Sequence, residues 1–146
     1  MSICEVFIPD AVGVEAGIAS EKYPDATVAE RMIREGEIKV RRVGLPGDDV
    51  LDRYKLGKGE KEAIVLGIEK EEAFIITDDR LAYVVMNRMK IKKLLFLDLL
   101  IELVEKKLME RKVAEQIVAA VKPRYPEGFI YHTLKILERG DRRCLR

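Results

Sequence analysis

The chain has 146 residues, of which 48% are hydrophobic and 36% are charged, and this balance excludes a disordered chain and fits one globular domain. Its 27 basic and 26 acidic residues leave a net charge of +1, which excludes a strong overall field that would attract nucleic acid. The longest apolar run, LLFLDLLIELV, is interrupted by Asp98 and Glu102 and is shorter than a membrane span.

The first part of the chain has the pattern of strands that alternate with helices. ICEVFIP is an apolar strand that Pro9 closes, and EIKVRRV alternates apolar with polar residues, as a strand near a sheet edge does. The helix between them begins near Asp25 and stops at Gly36, which are favoured capping residues. The predicted elements are a strand at 3–9, helices at 10–19 and 25–36, a strand at 37–43 and a turn at 44–49.

The middle of the chain continues this alternation, and the end is helical. GEKEAIVLGIEKEEAFIITDD predicts a helix, a tight turn and a short buried strand, which is half of a β-α-β unit. The predicted elements are a helix at 60–71, a strand at 73–77, a helix at 79–90, a strand at 93–97 and helices at about 98–108, 110–122 and 128–139.

This order predicts an α/β fold in a single domain over residues 1–146. We expect a mostly parallel, Rossmann-like sheet of about four strands covered by helices, with a helical C-terminal third. Cys4 and Cys144 lack metal-ligand spacing and no leader peptide precedes them, so we expect a reduced, cytoplasmic chain. The scarcity of asparagine and glutamine, beside abundant lysine, arginine and glutamate, is typical of heat-adapted proteins.

Two adjacent carboxylates, Asp78 and Asp79, end the apolar stretch AFIIT. Ligands of parallel α/β sheets bind beyond the carboxyl ends of the strands, where these side chains are expected. Like charges side by side repel unless a cation neutralises them, and Mg²⁺ or Mn²⁺ prefers such oxygen ligands. The alternative is that one aspartate caps the helix that follows, which is common and accounts for one of the two.

Three further acids are predicted at the same end of the sheet. Glu60 and Glu62 lie in the first turn of the helix that leads into this strand, and Glu15 follows the strand that Pro9 closes. Each has an ordinary explanation, since helix N-termini favour negative charge and most surface glutamates bind nothing. Their shared placement is the argument for a site.

In these same segments the chain resembles the PIN domain, and specifically its prokaryotic single-domain branch related to VapC-type toxins. The resemblance rests on IPDAV with Glu15, on YPDATVAERMIREGEIKVRRV, and above all on GEKEAI followed by IITDDR, and it covers most of residues 5–140. It implies a PIN-like fold and a cytoplasmic, metal-dependent ribonuclease. It also implies an antitoxin as protein partner if the chain is the toxin of a pair.

The resemblance also implies the roles of individual residues. Glu15, Glu62 and Asp79 would be catalytic, and Thr77 would support the loop by hydrogen bonding. Together with Glu60 and Asp78, the three catalytic residues would hold one or two Mg²⁺ or Mn²⁺ ions that activate water for attack on RNA. Basic residues nearby are candidates for contacts with RNA phosphates, foremost Lys58, Lys61 and Arg80.

The sequence departs from the family pattern at its start. The family normally opens with an apolar strand ending in an aspartate and then a helix, whereas here eight residues precede Pro9. Without that aspartate, metal binding and activity are expected to be weakened. We expect one of three compensations: direct pairing of the strands around CEVFI and AFIIT, a strand from another subunit, or a start codon further upstream.

Two other functions remain open from the sequence. The first is a catalytically impaired PIN-like domain that acts by binding protein or RNA and by forming homo-oligomers. The apolar residues of the last helices would be either its interface or simply core, and core packing is the favoured interpretation. The second is an unrelated α/β domain that binds a small molecule, which the absence of a glycine-rich phosphate loop disfavours.

Overall fold

The chain folds into two compact units. The computed structural model describes three stretches, residues 4–44, 50–71 and 73–140. Contacts within the chain separate residues 1–93 from residues 94–146. A single domain over the whole chain stays a prediction. Two predicted features lie outside the described residues: Cys144, and the turn at 44–49 apart from Gly44.

The first unit begins with two parallel strands joined by a helical hairpin. Its elements are β1 (Val6–Pro9), α1 (Asp10–Ser20), α2 (Pro24–Arg34) and β2 (Ile38–Arg41). Pro9 ends β1, since proline lacks the N–H that a ladder needs, and it stands at the N-cap of α1. The strands pair in parallel with Ile8 opposite Val40, which requires a crossover, and the two helices supply it. These four elements confirm the predicted order.

The rest of the first unit is built around an apolar core. Its elements are α3 (Lys58–Glu69), β3 (Ile75–Ile76) and α4 (Arg80–Arg88). The strand β4 (Lys93–Leu94) follows at the boundary between the two units. The apolar faces of α3 and α4 meet β3, and a short 3-10 turn before α3 adds a buried leucine. The buried residues of this core are Leu51, Ile64, Val65, Ile75, Ala82, Val85 and Met86.

The strands form two small sheets rather than one. In the described residues, β1 pairs with β2, and β3 pairs with β4. The expected direct pairing of the strands around CEVFI and AFIIT is therefore wrong. β1 pairs instead with β2, which the helices α1 and α2 bring back alongside β1. Because β3 is only two residues long, its backbone offers few groups for pairing with a further strand. The fold is nonetheless α/β, with short strands and many helices.

The second unit is a three-helix arrangement with its own core. Its helices are α5 (Phe96–Glu105), α6 (Arg111–Val121) and α7 (Glu127–Arg139). The predicted strand at 93–97 is too long, because α5 begins at Phe96. Leu97, Leu100 and Ile101 share one face of α5 at helical spacing and are buried against α6 and α7. These three residues are therefore core, as favoured, and do not form an interface.

The helices of both units are short or interrupted by polar residues. Within the described stretches, none of them combines the length and the apolar character that a membrane span needs.

Candidate functional site

Glu62 is a buried carboxylate that connects two helices. It lies in the second turn of α3, and only 5% of its surface is exposed. Its Oε2 accepts a hydrogen bond of 3.0 Å from the backbone N–H of Ala11, in the first turn of α1. Its Oε1 lies 3.7 Å from Nζ of Lys58, one turn earlier on the same helix. Backbone N–H groups in the first turn of a helix have no acceptor within that helix, and the Glu62 carboxylate, which belongs to α3, is the acceptor for one such group of α1.

Glu15, a residue of α1, lies next to the start of α3. If Gly59 carried a Cβ atom, this atom would lie 3.1 Å from Oε1 of Glu15 and 3.2 Å from Cγ2 of Val12. A side chain at position 59 would therefore require Glu15 or Val12 to shift by a few tenths of an ångström, and glycine leaves room for the Glu15 carboxylate beside the first turn of α3. The sequence analysis assigned no role to Gly59. The relevant signal was the small residue between Lys58 and Glu60.

Asp79 closes the loop between β3 and α4. It is the N-cap of α4, and its Oδ1 accepts a hydrogen bond of 2.6 Å from the N–H of Ala82. The backbone N–H of Asp79 donates to Oγ1 of Thr77 at 3.1 Å, a hydrogen bond within this loop. The supporting role of Thr77 in a site stays a prediction. The capping alternative therefore applies to Asp79. It does not account for Asp78, which is exposed in the same loop.

A cleft of about 290 Å³ connects these segments. Carboxylates from two of them face it, Glu60 from α3 and Asp78 and Asp79 from the loop after β3. The side chain of Glu60 also folds back over Gly57, the N-cap of α3. Apolar residues of α1, α3, β3 and α4 form the rest of the wall. The complete lining is Val12, Gly59, Glu60, Ala63, Ile64, Ile75, Ile76, Thr77, Asp78, Asp79, Ala82 and Met86.

The five predicted acids are therefore distributed around one cleft, but they do not form a ready metal cage. Glu60, Asp78 and Asp79 line it, whereas Glu15 and Glu62 contact residues beside or within its wall. In the described residues, no three Asp, Glu, His or Cys side chains lie close enough together to hold a metal ion. Their assignment as ligands and catalytic groups stays a prediction.

The three basic residues predicted to contact RNA lie at the starts of α3 and α4. Lys58 is largely exposed and is near Glu62, while Lys61 forms an ion pair of 3.0 Å with Asp52. Arg80 is exposed in the first turn of α4. The ion pairs of Lys61 with Asp52 and of Lys58 with Glu62 both compete with a phosphate, and the pair of Lys61 is the shorter of the two.

Comparison with known proteins gives one match. A family model described as a PIN domain matches residues 3–139, which is most of the chain and includes every acid around the cleft. A search of curated proteins and a search of solved structures each gave no match. The predicted VapC-type branch and the predicted antitoxin partner stay predictions.

Proposed function

Because the chain belongs to the PIN domain family, we propose that it is a metal-dependent nuclease that cleaves RNA with the carboxylates around its cleft. The observation that supports this most directly is the cleft itself. Glu60, Asp78 and Asp79 line one space, although they come from a helix start and from a strand end.

The chemistry of the donors suits a hard divalent cation. All five candidate ligands are carboxylates, and Mg²⁺ and Mn²⁺ prefer oxygen ligands and retain several waters. The residues that would hold such ions are Glu15, Glu60, Glu62, Asp78 and Asp79. A divalent ion bound there supplies an activated water and stabilises the attacking and leaving oxygens of the phosphodiester.

The chain's own groups prepare this site in three ways. The hydrogen bond from Ala11 keeps the buried Glu62 carboxylate oriented, and the bond from Asp79 to Thr77 fixes the aspartate loop. Apolar side chains such as Ile64 and Met86 form part of the wall of the cleft. The starts of α1, α3 and α4 lie at or beside the cleft, and helix N-termini attract the negative charge of phosphate.

A catalytically impaired domain that works by binding is the second candidate, and a specific observation favours it. Glu62 and Asp79 both use a carboxylate oxygen to accept from a backbone N–H. Among the described side chains, no group of three is ready to hold a metal. In this alternative the acids stabilise helix starts, and the fold presents surfaces to RNA or to a second copy of the chain.

A cleavage assay with the full chain separates the two candidates. Labelled single-stranded RNA is incubated with Mg²⁺, with Mn²⁺ or with EDTA, and Mn²⁺ binding is measured by calorimetry. Glu15→Gln removes one charge from an exposed side chain, so the fold should be kept. We expect it to lower Mn²⁺ affinity and cleavage by ~10–100-fold, the range seen when groups around metal sites are lost.

The matched control is Glu138→Gln, which removes an equally exposed charge from α7, where Glu138 pairs with Lys135. It should leave cleavage and Mn²⁺ binding unchanged. Wild-type protein that neither cleaves RNA with any of these ions nor binds Mn²⁺ would refute the nuclease proposal and favour the impaired domain. Equal effects of both substitutions would refute the assigned role of Glu15.

A further inference from the structure

One face of the sheet formed by β1 and β2 concentrates positive charge around a single aromatic ring. Nζ of Lys70 lies 4.0 Å from the centre of the Phe7 ring, the guanidinium carbon of Arg41 lies 5.4 Å away, and Nζ of Lys39 lies 5.6 Å away. The residues Phe7, Lys39, Arg41 and Lys70 are called the Phe7 face below. None of them belongs to the acidic cleft.

The strand register explains why these side chains meet. Phe7 is paired with Lys39, and Pro9 is paired with Arg41, so Lys39 and Arg41 project on the side of the sheet that carries Phe7. The opposite side, with Ile8 and Val40, packs on Gly13 of α1. Lys70 joins from outside the sheet, because it is the C-cap residue of α3. The arrangement therefore follows from the register of the β1–β2 pair, which sequence alone did not reveal.

Among the residues that the structure describes, one of the three cations is paired with a carboxylate. Nζ of Lys39 donates to Oε1 of Glu5, whereas in the described part of the chain neither Arg41 nor Lys70 forms a salt bridge. The pKa of Glu5 lies below its ordinary value, mainly because of Lys39 and further because of the charges of Lys70 and Arg41. All three cations thus act on the same small region. Contact with the ring offsets part of their mutual repulsion, and an anion would offset more.

We propose that the Phe7 face binds the phosphate backbone of single-stranded RNA, which deepens the proposed function by assigning it a substrate-binding surface. Two residues along a strand span ~6.6 Å, so Arg41 and Lys39 are spaced to contact successive phosphates of an extended chain once a phosphate replaces Glu5 beside Lys39. Arg41 pairs with Pro9, directly before α1, whose Ala11 is bonded to Glu62. The Phe7 face therefore extends to the end of the sheet where α1 begins, which is the end at which Glu62 contacts α1.

The balanced net charge makes a local surface necessary. With a net charge of +1, the chain has no overall field to collect a polyanion, so affinity must come from clustered contacts. Phe7 already has cations around its ring, so its function is to position them rather than to stack on a base. Lys135 offers the contrast, because it lies 5.5 Å from the Tyr131 ring but is paired with Glu138 at 3.3 Å.

The test measures binding separately from cleavage. Fluorescence anisotropy of a labelled single-stranded RNA is recorded with the full chain in EDTA, over a series of salt concentrations. The double variant Arg41→Gln, Lys70→Gln should bind at least about tenfold more weakly, and its salt slope should be lower by ~0.7 for each phosphate that the variant no longer neutralises. The matched control Lys135→Gln should bind as the wild type does.

A second variant should act in the opposite direction. Glu5→Gln removes the carboxylate that neutralises Lys39, so we expect RNA affinity to rise severalfold, a gain that damage to the fold would not produce. Polyglutamate, tested as a competitor, examines whether the face prefers an acidic protein. RNA cleavage is not measured in this experiment, so a failed nuclease proposal and a failed binding proposal give different results.

Three results would overturn the proposal. They are a wild-type chain that does not bind RNA in EDTA, a double variant that binds no more weakly than Lys135→Gln, and polyglutamate that displaces RNA at equal charge concentration. The last result would assign the face to an acidic protein partner instead.

Discussion

Asp79 combines a structural role that is visible in the contacts with a proposed role in metal binding. Its Oδ1 accepts from Ala82, which satisfies one of the N–H groups at the start of α4. A carboxylate, an amide and a hydroxyl all fill an N-cap about equally well, but only the carboxylate binds a hard cation strongly. The two roles can therefore be separated by the choice of substitution.

Asp79→Asn should keep the stability of the protein and lose metal-dependent cleavage. The amide oxygen still accepts from Ala82, so the free energy of unfolding should change by less than about 0.5 kcal/mol, since Asn and Asp rank equally at an N-cap. Asp79→Ala removes the cap as well and should lower the free energy of unfolding by about 1 kcal/mol. Urea denaturation gives the stabilities, and the RNA assay gives the activities. Full cleavage by Asp79→Asn would limit Asp79 to capping.

The residue types of the site were readable from the sequence, whereas their partners were not. Adjacent aspartates after an apolar strand indicated charge at a strand exit, where the N–H of Asp79 donates a hydrogen bond to Oγ1 of Thr77. The hydrogen bond between Glu62 and Ala11 joins residues 51 positions apart, and no local pattern encodes it. The grouping of Lys70 with Lys39 likewise depends on tertiary packing that the sequence does not display.

At the scale of elements, order and type were predictable, but strand length and pairing were not. Helices were found close to their predicted bounds because their apolar spacing is long enough to be distinctive. The strand predicted at 93–97 is almost entirely apolar, and such a run fits either a strand or a helix. In the structure Leu97 packs in the core of the second unit as part of the helix α5. Which strands pair depends on where the connecting helices place the next strand beside the sheet. The number of residues between β1 and β2 does not determine which residues of the two strands lie opposite each other.

The contact between α3 and β3 yields a stability prediction. A Cβ atom at Gly67 would overlap Cγ1 and Cδ1 of Ile75, which is buried in β3. Alanine improves helix propensity by about 1 kcal/mol over glycine, but overpacking a core typically costs about 1–3 kcal/mol. We therefore expect Gly67→Ala to lower the free energy of unfolding by about 1 kcal/mol, measured as a lower urea midpoint.

The same substitution at Gly17 serves as the control. Gly17 lies within α1, and a Cβ atom there would meet no other atom within 4 Å. Only the propensity gain remains, so Gly17→Ala should raise the free energy of unfolding by about 0.5–1 kcal/mol. If both alanine variants were stabilised equally, Ile75 would not be packed tightly over Gly67.

At the scale of the whole molecule, stability is divided between two apolar cores. The first unit has the cluster that includes Ile64, and the second unit has the cluster that includes Ile101. Both isoleucines are almost completely buried, at 1% and 2% exposure. The proposed nuclease residues and the Phe7 face all belong to the first unit, so the second unit contributes to the protein without containing part of either proposed site.

This division predicts that matched core substitutions act on different parts of the chain. Ile101→Val and Ile64→Val each remove one methyl group, which should cost about 0.5–1.5 kcal/mol within the affected unit. Hydrogen exchange of backbone amides measures the local opening free energy, and a loss of about 1 kcal/mol accelerates exchange about fivefold. Ile101→Val should accelerate exchange in α5, α6 and α7 and leave α3 and α4 unchanged, and Ile64→Val should do the reverse. Acceleration of all five helices by either variant would show that the two cores open together, and the units would then be one cooperative structure.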